Sequence, residues 1–205
     1  MDYKKKLSYL CMLIHEALLG HGLDIGDSVS CDILGDDSEP HTIFAVIKVL
    51  HKDITFALEV GLTSDKNYHL FLSNLSLTKE LEELDVFTTI LNKILSCALI
   101  YKVIVHQSTN EYLNKWCKTN HFIEMDGDFY KTFESMEGYP YEYTTYVCDG
   151  EVISDVYKIN ESINPSEFLA KREKVGSLKG YQFSVGSIKE FIDNLTNIPN
   201  YRYFL

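Results

Sequence analysis

Residues 68–77, YHLFLSNLSL, begin the stretch of sequence that decides the fold. Leucines alternate with other residues along this segment, and the alternation changes phase near Ser73 and Asn74. Alternation is typical of a β-strand, and one extra residue in a bulge restores the register after such a change of phase. We therefore predict a central strand with a bulge near Asn74.

A helix and a second strand are predicted directly after this segment. Apolar residues recur at intervals of three and four from about Asp85 to Leu99, which places them on one stripe of an α-helix. Residues 102–106, KVIVH, form a β-branched run that is too short for a helix. Because parallel strands need a crossover of this length, the strands at 68 and 102 are predicted to be parallel neighbours. The stripe consists of Leu84, Phe87, Leu91, Ile94, Leu95, Ala98 and Leu99.

A shorter helix and a hairpin complete this half of the fold. Residues 110–120 carry Tyr112, Leu113, Trp116 and Cys117 at helical spacing. Residues 122–133 contain Asp126-Gly127, a dipeptide that tolerates the positive φ of a two-residue hairpin turn.

The upstream residues predict a helix over about 4–19 and strands near 28, 42 and 54. Residues 42–50 and 54–62 are rich in β-branched and aromatic side chains, and the link between them is hairpin-sized. With the strand at 68 they form a predicted antiparallel meander. Adding the strands near 102 and 122 gives an α/β (α+β) domain over residues 1–135, with a central mixed sheet flanked by helices.

The order strand, loop, helix, strand, helix, hairpin resembles the second half of the GCN5-related N-acetyltransferase fold. Leu75-Ser76-Leu77 stands where that family has the apolar end of its fourth strand, and Ile90-Leu91 stands where the next helix shows paired leucines. Asn110, Leu113 and Phe122 fall at the spacing of the late motif of the family. The resemblance implies an acetyltransferase-like sheet and a site for an acyl-CoA.

The pyrophosphate loop that the resemblance implies is degenerate in this chain. In the family, glycines in this loop let backbone N–H groups approach the pyrophosphate, beside a helix N-terminus. The aligned segment here is 82–87, in which Glu82, Glu83 and Asp85 are acidic and Asp85 and Phe87 replace glycines. Carboxylates are also favourable in the first turn of any helix. We therefore predict no cofactor, with acetyl-CoA as the alternative.

The catalytic groups that the resemblance implies are equally weak. Cys117 occupies the place of the tyrosine that often acts as general acid, and we interpret Cys117 and Trp116 as core residues of an amphipathic helix. His69 and Glu59 are the candidates for a general base, since both lie on predicted strands, but such residues are more often plain surface or core. Leu19 stands where a zinc-binding H-E-x-x-H helix starting at His15 needs its second histidine, so no metal site is predicted.

Composition limits the partners and the compartment. The net charge is −11, with 30 acidic and 19 basic residues, which disfavours direct binding to nucleic acid. Five scattered cysteines without a C-x-x-C motif are typical of a reducing compartment, and no apolar run reaches the roughly 18 residues of a membrane span. We expect a cytoplasmic protein that does not bind membranes. Abundant Lys, Asn, Ile and Tyr with two Arg indicate an AT-rich genome, such as that of a phage or other virus.

Residues 136–205 extend beyond an acetyltransferase-like domain and predict a C-terminal α+β extension. A hairpin is predicted over 143–159 around Asp149-Gly150, a helix over 165–174, a loop between Gly176 and Gly180, a short strand over 181–185 and a helix over 187–195. Tyrosines and carboxylates alternate in the hairpin, and exposed tyrosine is enriched at protein interfaces. The predicted partner-binding residues are Tyr141, Glu142, Tyr143, Tyr146 and Glu151.

The functional hypothesis is a catalytically degenerate acetyltransferase-like protein that acts by binding another protein, with a basic surface as the expected partner. A viral origin makes inhibition or regulation of host machinery the expected role. The first alternative is a divergent acetyl-CoA-dependent N-acetyltransferase. The second is a structural subunit that associates with itself into a homo-oligomer.

Overall fold

The protein is described here by a computed structural model that covers residues 3–23, 28–35, 43–62, 68–98, 100–106, 110–136, 138–160, 170–180 and 185–197. Within these ranges the helices are α1 (Tyr3–Leu19), α2 (Lys79–Glu83), α3 (Val86–Leu95), α4 (Glu111–Thr119) and α5 (Val185–Asn197). The strands are β1 (Val29–Ile33), β2 (Ile43–Leu50), β3 (Ile54–Leu62), β4 (Tyr68–Leu77), β5 (Ile100–Val105), β6 (Ile123–Met125), β7 (Asp128–Thr132), β8 (Glu134–Ser135), β9 (Tyr141–Cys148), β10 (Glu151–Asn160) and β11 (Lys171–Gly180).

The first sheet has seven strands in the order β1-β2-β3-β4-β5-β7-β6. The strands β1 to β4 form an antiparallel meander, and β4 and β5 are parallel neighbours, which confirms both predictions. All other pairs in this sheet are antiparallel, so the sheet is mixed. The fold class is therefore α+β with a large mixed sheet.

The predicted bulge in β4 is confirmed. Thr55 pairs with Ser76 and Ala57 pairs with Ser73, so β4 carries one more residue than β3 between these two pairs. Asn74 lies in this bulge with φ of 56°, a left-handed conformation that Asn adopts more easily than most residues. The bulge explains the change of phase in the leucine pattern.

The helices α1, α3 and α4 pack on one face of the first sheet. Their buried residues share one core with the inward-facing residues of β3, β4 and β5. The N-terminus of α4 is capped by Asn110, whose side chain accepts a hydrogen bond from the Leu113 N–H at 3.2 Å. The fully buried large side chains of this core include Leu10, Ile14, Ile47, Leu58, Leu70, Leu72 and Phe87.

The predicted helix over 85–99 ends early, at Leu95. The chain then bends, because the Ala98 N–H donates to the Ala170 carbonyl at 3.0 Å and Cys97 forms a bridge with Lys171. Leu84, which the helical stripe included, precedes α3 and is 53 % exposed. Tertiary pairing with the C-terminal half has therefore overridden the helical periodicity after Leu95.

The second sheet has four strands in the order β11-β10-β9-β8. The predicted hairpin is confirmed as β9–β10, with positive φ at Asp149 and Gly150. A helix was predicted over 165–174, with a loop after it. Where the structure describes these residues, both predictions are wrong, because residues 171–180 form β11, which pairs along its length with β10. Residues 165–169 and 181–184 lie outside the described ranges. The predicted last helix is confirmed as α5.

The two sheets are joined at Phe133, which lies between β7 and β8, and at Arg172 of β11. The Arg172 guanidinium lies over the Phe133 ring, 3.5 Å from its centroid, and forms a buried ion pair of 2.6 Å with Glu142. It also donates to the carbonyls of Leu95 and Ile100. One buried cation therefore connects β9 and β11 to both ends of the segment between α3 and β5.

Candidate functional site

The segment between β4 and α3 is where the resemblance places the acyl-CoA pyrophosphate. This segment folds as the short helix α2, and Asp85 joins α2 to α3 with φ of 53°. The Asp85 carboxylate accepts hydrogen bonds from the Thr88 hydroxyl and, at 2.8 Å, from the Tyr112 hydroxyl. Burial and the bond to Asp85 raise the pKa of Tyr112 above its ordinary value, so the phenol keeps its proton and remains a donor.

These contacts hold the Asp85 carboxylate at the N-cap of α3, where it accepts no hydrogen bond from a backbone N–H of the helix. A helix N-terminus attracts anions, and Asp85 already supplies one. Glu82 and Glu83 of α2 precede it, separated from it by Leu84. Phe87 is fully buried against Trp116, with ring centroids 5.7 Å apart. Because a pyrophosphate needs accessible backbone N–H groups without adjoining carboxylates, these residues do not fit an acyl-CoA pyrophosphate.

The structure does not bring Cys117 together with Glu59 and His69. Cys117 is fully buried in the core below α4, as the core interpretation expected, and burial raises its pKa to about 12. Glu59 and His69 alternate with the buried residues of β3 and β4, so they lie on the opposite face of the sheet. His69 lies over Gly61, its partner on β3, where a Cβ would overlap the imidazole. No shared catalytic site is formed by these three residues.

The predicted partner-binding residues of β9 lie mostly inside the protein. Tyr141, Glu142 and Tyr146 are buried, and Tyr143 is half-buried, whereas Glu151 is exposed at the start of β10. The expectation that the first three form an exposed contact surface is therefore wrong. Alternation along β9 is as predicted, but both faces of the strand are covered at Tyr141 and Glu142, and only Thr145 and Val147 of β9 are exposed.

Each face of β9 is covered by a different layer. Glu142 pairs with Arg172, and Tyr146 stacks on His121 with ring centroids 4.3 Å apart, so this face packs towards the first sheet. Tyr141 belongs to a second core with Ile188 of α5, on the other face. The sequence could not show that α5 returns to cover this face.

A polar network lies between the two sheets. The Asp155 carboxylate accepts hydrogen bonds from Ser177 at 2.6 Å and Tyr146 at 3.4 Å, and forms an ion pair of 2.9 Å with Lys174. Lys131 donates to the Asn120 carbonyl at the end of α4, at 3.0 Å. Burial lowers the pKa of Lys131 to about 8, although Asp155 opposes this shift. The hydrogen bond to a helix C-terminus explains Lys131 as a structural residue.

An open groove lies between β6 and β9, beside the end of α4. This β6–β9 groove has a volume of about 570 Å³ and is lined by Ile123 and Glu124 on one side and by Thr145 and Val147 on the other. Val147 is 68 % exposed and Ile123 is 53 % exposed. Because exposed apolar side chains border it, this groove is the candidate binding surface.

Sequence reasoning missed the β6–β9 groove. A pattern on β9 that could have indicated it is the alternation around Tyr146. This alternation places the exposed β-branched residues Thr145 and Val147 together on the face opposite to Tyr146. On β6, Ile123 and Met125 are both exposed, as is Glu124 between them. Only the packing of the two sheets brings these two strands to one groove.

Comparisons with protein-family models, curated proteins and solved structures found no match. The resemblance to the acetyltransferase fold therefore depends on the motifs and the element order of this chain. In the part of the chain that the structure describes, no three His, Cys, Asp or Glu residues are placed to hold a metal ion. None of the described helices is both long enough and apolar enough to cross a membrane.

Proposed function

We propose that this protein has an acetyltransferase-like fold without acyl-CoA chemistry and that it works by holding another protein. The parallel pair β4–β5 joined through α3, with a bulge in β4, supports the acetyltransferase-like layout. The carboxylate of Asp85, held by Thr88 and Tyr112 at the N-cap of α3, supports the loss of the cofactor. The reducing compartment indicated by the cysteines makes the cytoplasm, of a host cell if the source is viral, the expected location.

The observation that carries the binding function is the β6–β9 groove with its exposed apolar rim. Val147 of the second sheet and Ile123 of the first sheet both line this groove, and they are 68 % and 53 % exposed. The partner surface is expected to be basic, since Asp149 and Glu151 are exposed beside this groove and the chain carries a net charge of −11.

Two measurements test this function. Calorimetric titration with acetyl-CoA is expected to show no binding at micromolar concentration, and saturable binding there would favour the divergent N-acetyltransferase instead. Cross-linking and affinity capture from the native host are expected to recover a partner with the natural chain and not with Val147→Lys. Leu50→Lys is the matched control, since Leu50 is 65 % exposed on a different strand.

A third measurement tests the self-association alternative. Sedimentation of the purified chain is expected to give a monomer at micromolar concentration. A stable dimer that Val147→Lys dissociates would show that the groove binds a second copy of the chain, and the proposal of a separate partner would then be withdrawn.

A further inference from the structure

The outer edge of β9 has a defined hydrogen-bonding pattern. A two-residue turn at Asp149 and Gly150 joins β9 to β10, with Cys148 opposite Glu151. In such a hairpin the pair that flanks the turn exchanges hydrogen bonds, and bonded and non-bonded pairs alternate along the ladder. Thr145 and Val147 therefore direct their backbone N–H and C=O groups away from β10.

The short strand β8 uses only one part of this outer edge. Glu134 pairs with Tyr143, and the Met136 N–H donates to the Tyr141 carbonyl at 3.1 Å. Tyr141 and Tyr143 are separated from Thr145 and Val147 by even numbers of residues, so all four direct their backbone groups to the same edge of β9. Among the described strands, none pairs with β9 beyond Tyr143, so the edge beside the groove is open.

The β6–β9 groove borders this edge at Thr145 and Val147 and extends to Val152 of β10. Its floor is the stacked pair His121 and Tyr146, and Ile123 of the edge strand β6 forms its far wall. A strand placed here would gain backbone hydrogen bonds from Thr145 and Val147. Its alternate side chains would enter an apolar groove, which is the arrangement of strand addition.

The charges near the groove favour a positively charged strand. Within the groove, Glu124 forms an ion pair of 3.2 Å with Lys118, so these two charges cancel. Asp149 and Glu151 are exposed in the turn region between Val147 and Val152, and Lys118 of the groove lining is already paired with Glu124. The net local charge is negative.

We propose that the β6–β9 groove binds an extended, basic segment of a partner protein, which adds as a strand to the open edge of β9 beside Thr145 and Val147. Apolar side chains at every second position of the segment enter the groove, and lysine or arginine side chains lie near Asp149 and Glu151. This inference depends on the proposed protein-binding function and names the chemistry of the segment that is bound.

The probe is a capped ten-residue peptide in which lysine alternates with valine, titrated by fluorescence anisotropy. Two further versions are methylated on backbone nitrogens. One carries the methyl group on every lysine residue and the other on every valine residue. Because alternate residues of a strand bond to opposite edges, one methylated version is expected to bind at least about tenfold more weakly and the other nearly as well as the parent. Val147→Lys is expected to lower the affinity for the parent peptide at least about tenfold, whereas Leu50→Lys is expected to leave that affinity unchanged.

Several results would overturn strand addition. They are equal binding of the two methylated peptides, equal binding of a peptide with glutamate in place of lysine, and no saturable binding of the lysine–valine peptide at millimolar concentration. If affinity capture still depends on Val147 in any of these cases, the protein-binding function stands and only the strand-addition inference fails. Circular dichroism of each variant checks that the second sheet is intact.

Discussion

Arg172 is the residue on which the contact between the two sheets most depends. Replacing it by methionine leaves Glu142 buried without a counter-ion and two carbonyls without their donor. Arg172→Met is expected to lower the free energy of unfolding by about 3–5 kcal/mol, measured by urea denaturation. The double variant Arg172→Met with Glu142→Leu is expected to recover much of this loss.

An exposed ion pair provides the control for Arg172. Lys48 and Asp32 pair on the surface of β2 and β1, with side chains 42 % and 52 % exposed. Lys48→Met is expected to lower the free energy of unfolding by less than about 1 kcal/mol. A double variant at 172 and 142 that is as unstable as Arg172→Met alone would contradict the role of the buried charge.

Lys131 predicts a specific dependence of stability on pH. The folded chain releases the Lys131 proton near pH 8, whereas an ordinary lysine releases it near 10.5. Between these values the unfolded chain binds more protons, so the contribution of Lys131 to the free energy of unfolding rises with pH. Between pH 8 and pH 10.5, the free energy of unfolding of the natural chain is therefore expected to rise relative to that of Lys131→Met.

The exposed Lys115 on α4 is the control for this pH experiment. The free energy of unfolding of Lys115→Met, measured by urea denaturation at the same pH values, is expected to depend on pH as that of the natural chain does. A natural chain and Lys131→Met that show the same pH dependence would mean that Lys131 titrates normally.

At the level of elements, α5 packs against β11 through one close approach. A Cβ on Gly176 would lie 2.8 Å from Cζ of Phe191, closer than two carbon atoms come without a shift. Gly176→Ala is expected to destabilise the chain by about 1–3 kcal/mol, since overpacking moves α5 away from the second sheet. Adding Phe191→Leu is expected to restore part of the loss, and thermal denaturation of the three chains measures both effects. A double variant less stable than Gly176→Ala would rule out this contact as the cause.

The elements that could be predicted are those that local sequence determines. The turns at Asp126-Gly127 and Asp149-Gly150 adopt positive φ because Asp and Gly tolerate that conformation, and both hairpins are found as predicted. The end of α3 and the strand β11 were missed together. Both depend on contact between residues 96–98 and 170–172, which are far apart in the sequence, so no local pattern records them.

At the scale of the whole molecule, the second sheet covers part of the first. A chain that ends at Ser135 keeps the seven strands of the first sheet but loses Arg172 from the Phe133 ring and Tyr146 from His121. It is expected to unfold at a lower temperature than the full chain in calorimetry. An unchanged unfolding temperature would show that the first sheet is stable alone.

The candidate site could be predicted only in its general location. Composition and tyrosine alternation directed attention to the β9–β10 hairpin, and the β6–β9 groove does lie beside it. The expected exposure was wrong for Tyr141 and Glu142, because burial of these residues depends on α5 and on Arg172, which come later in the chain.

The position of Arg172 in the chain also sets the order of events while the protein is made. The carbonyls of Leu95 and Ile100 leave the ribosome 77 and 72 residues before the side chain that binds them. At about 5–20 residues per second, the nascent first sheet spends several seconds with that edge open to water and to chaperones. The second sheet can therefore close on the first only after Arg172 has been made, and slow codons before Arg172 would lengthen the interval in which a nascent chain is open to misassembly.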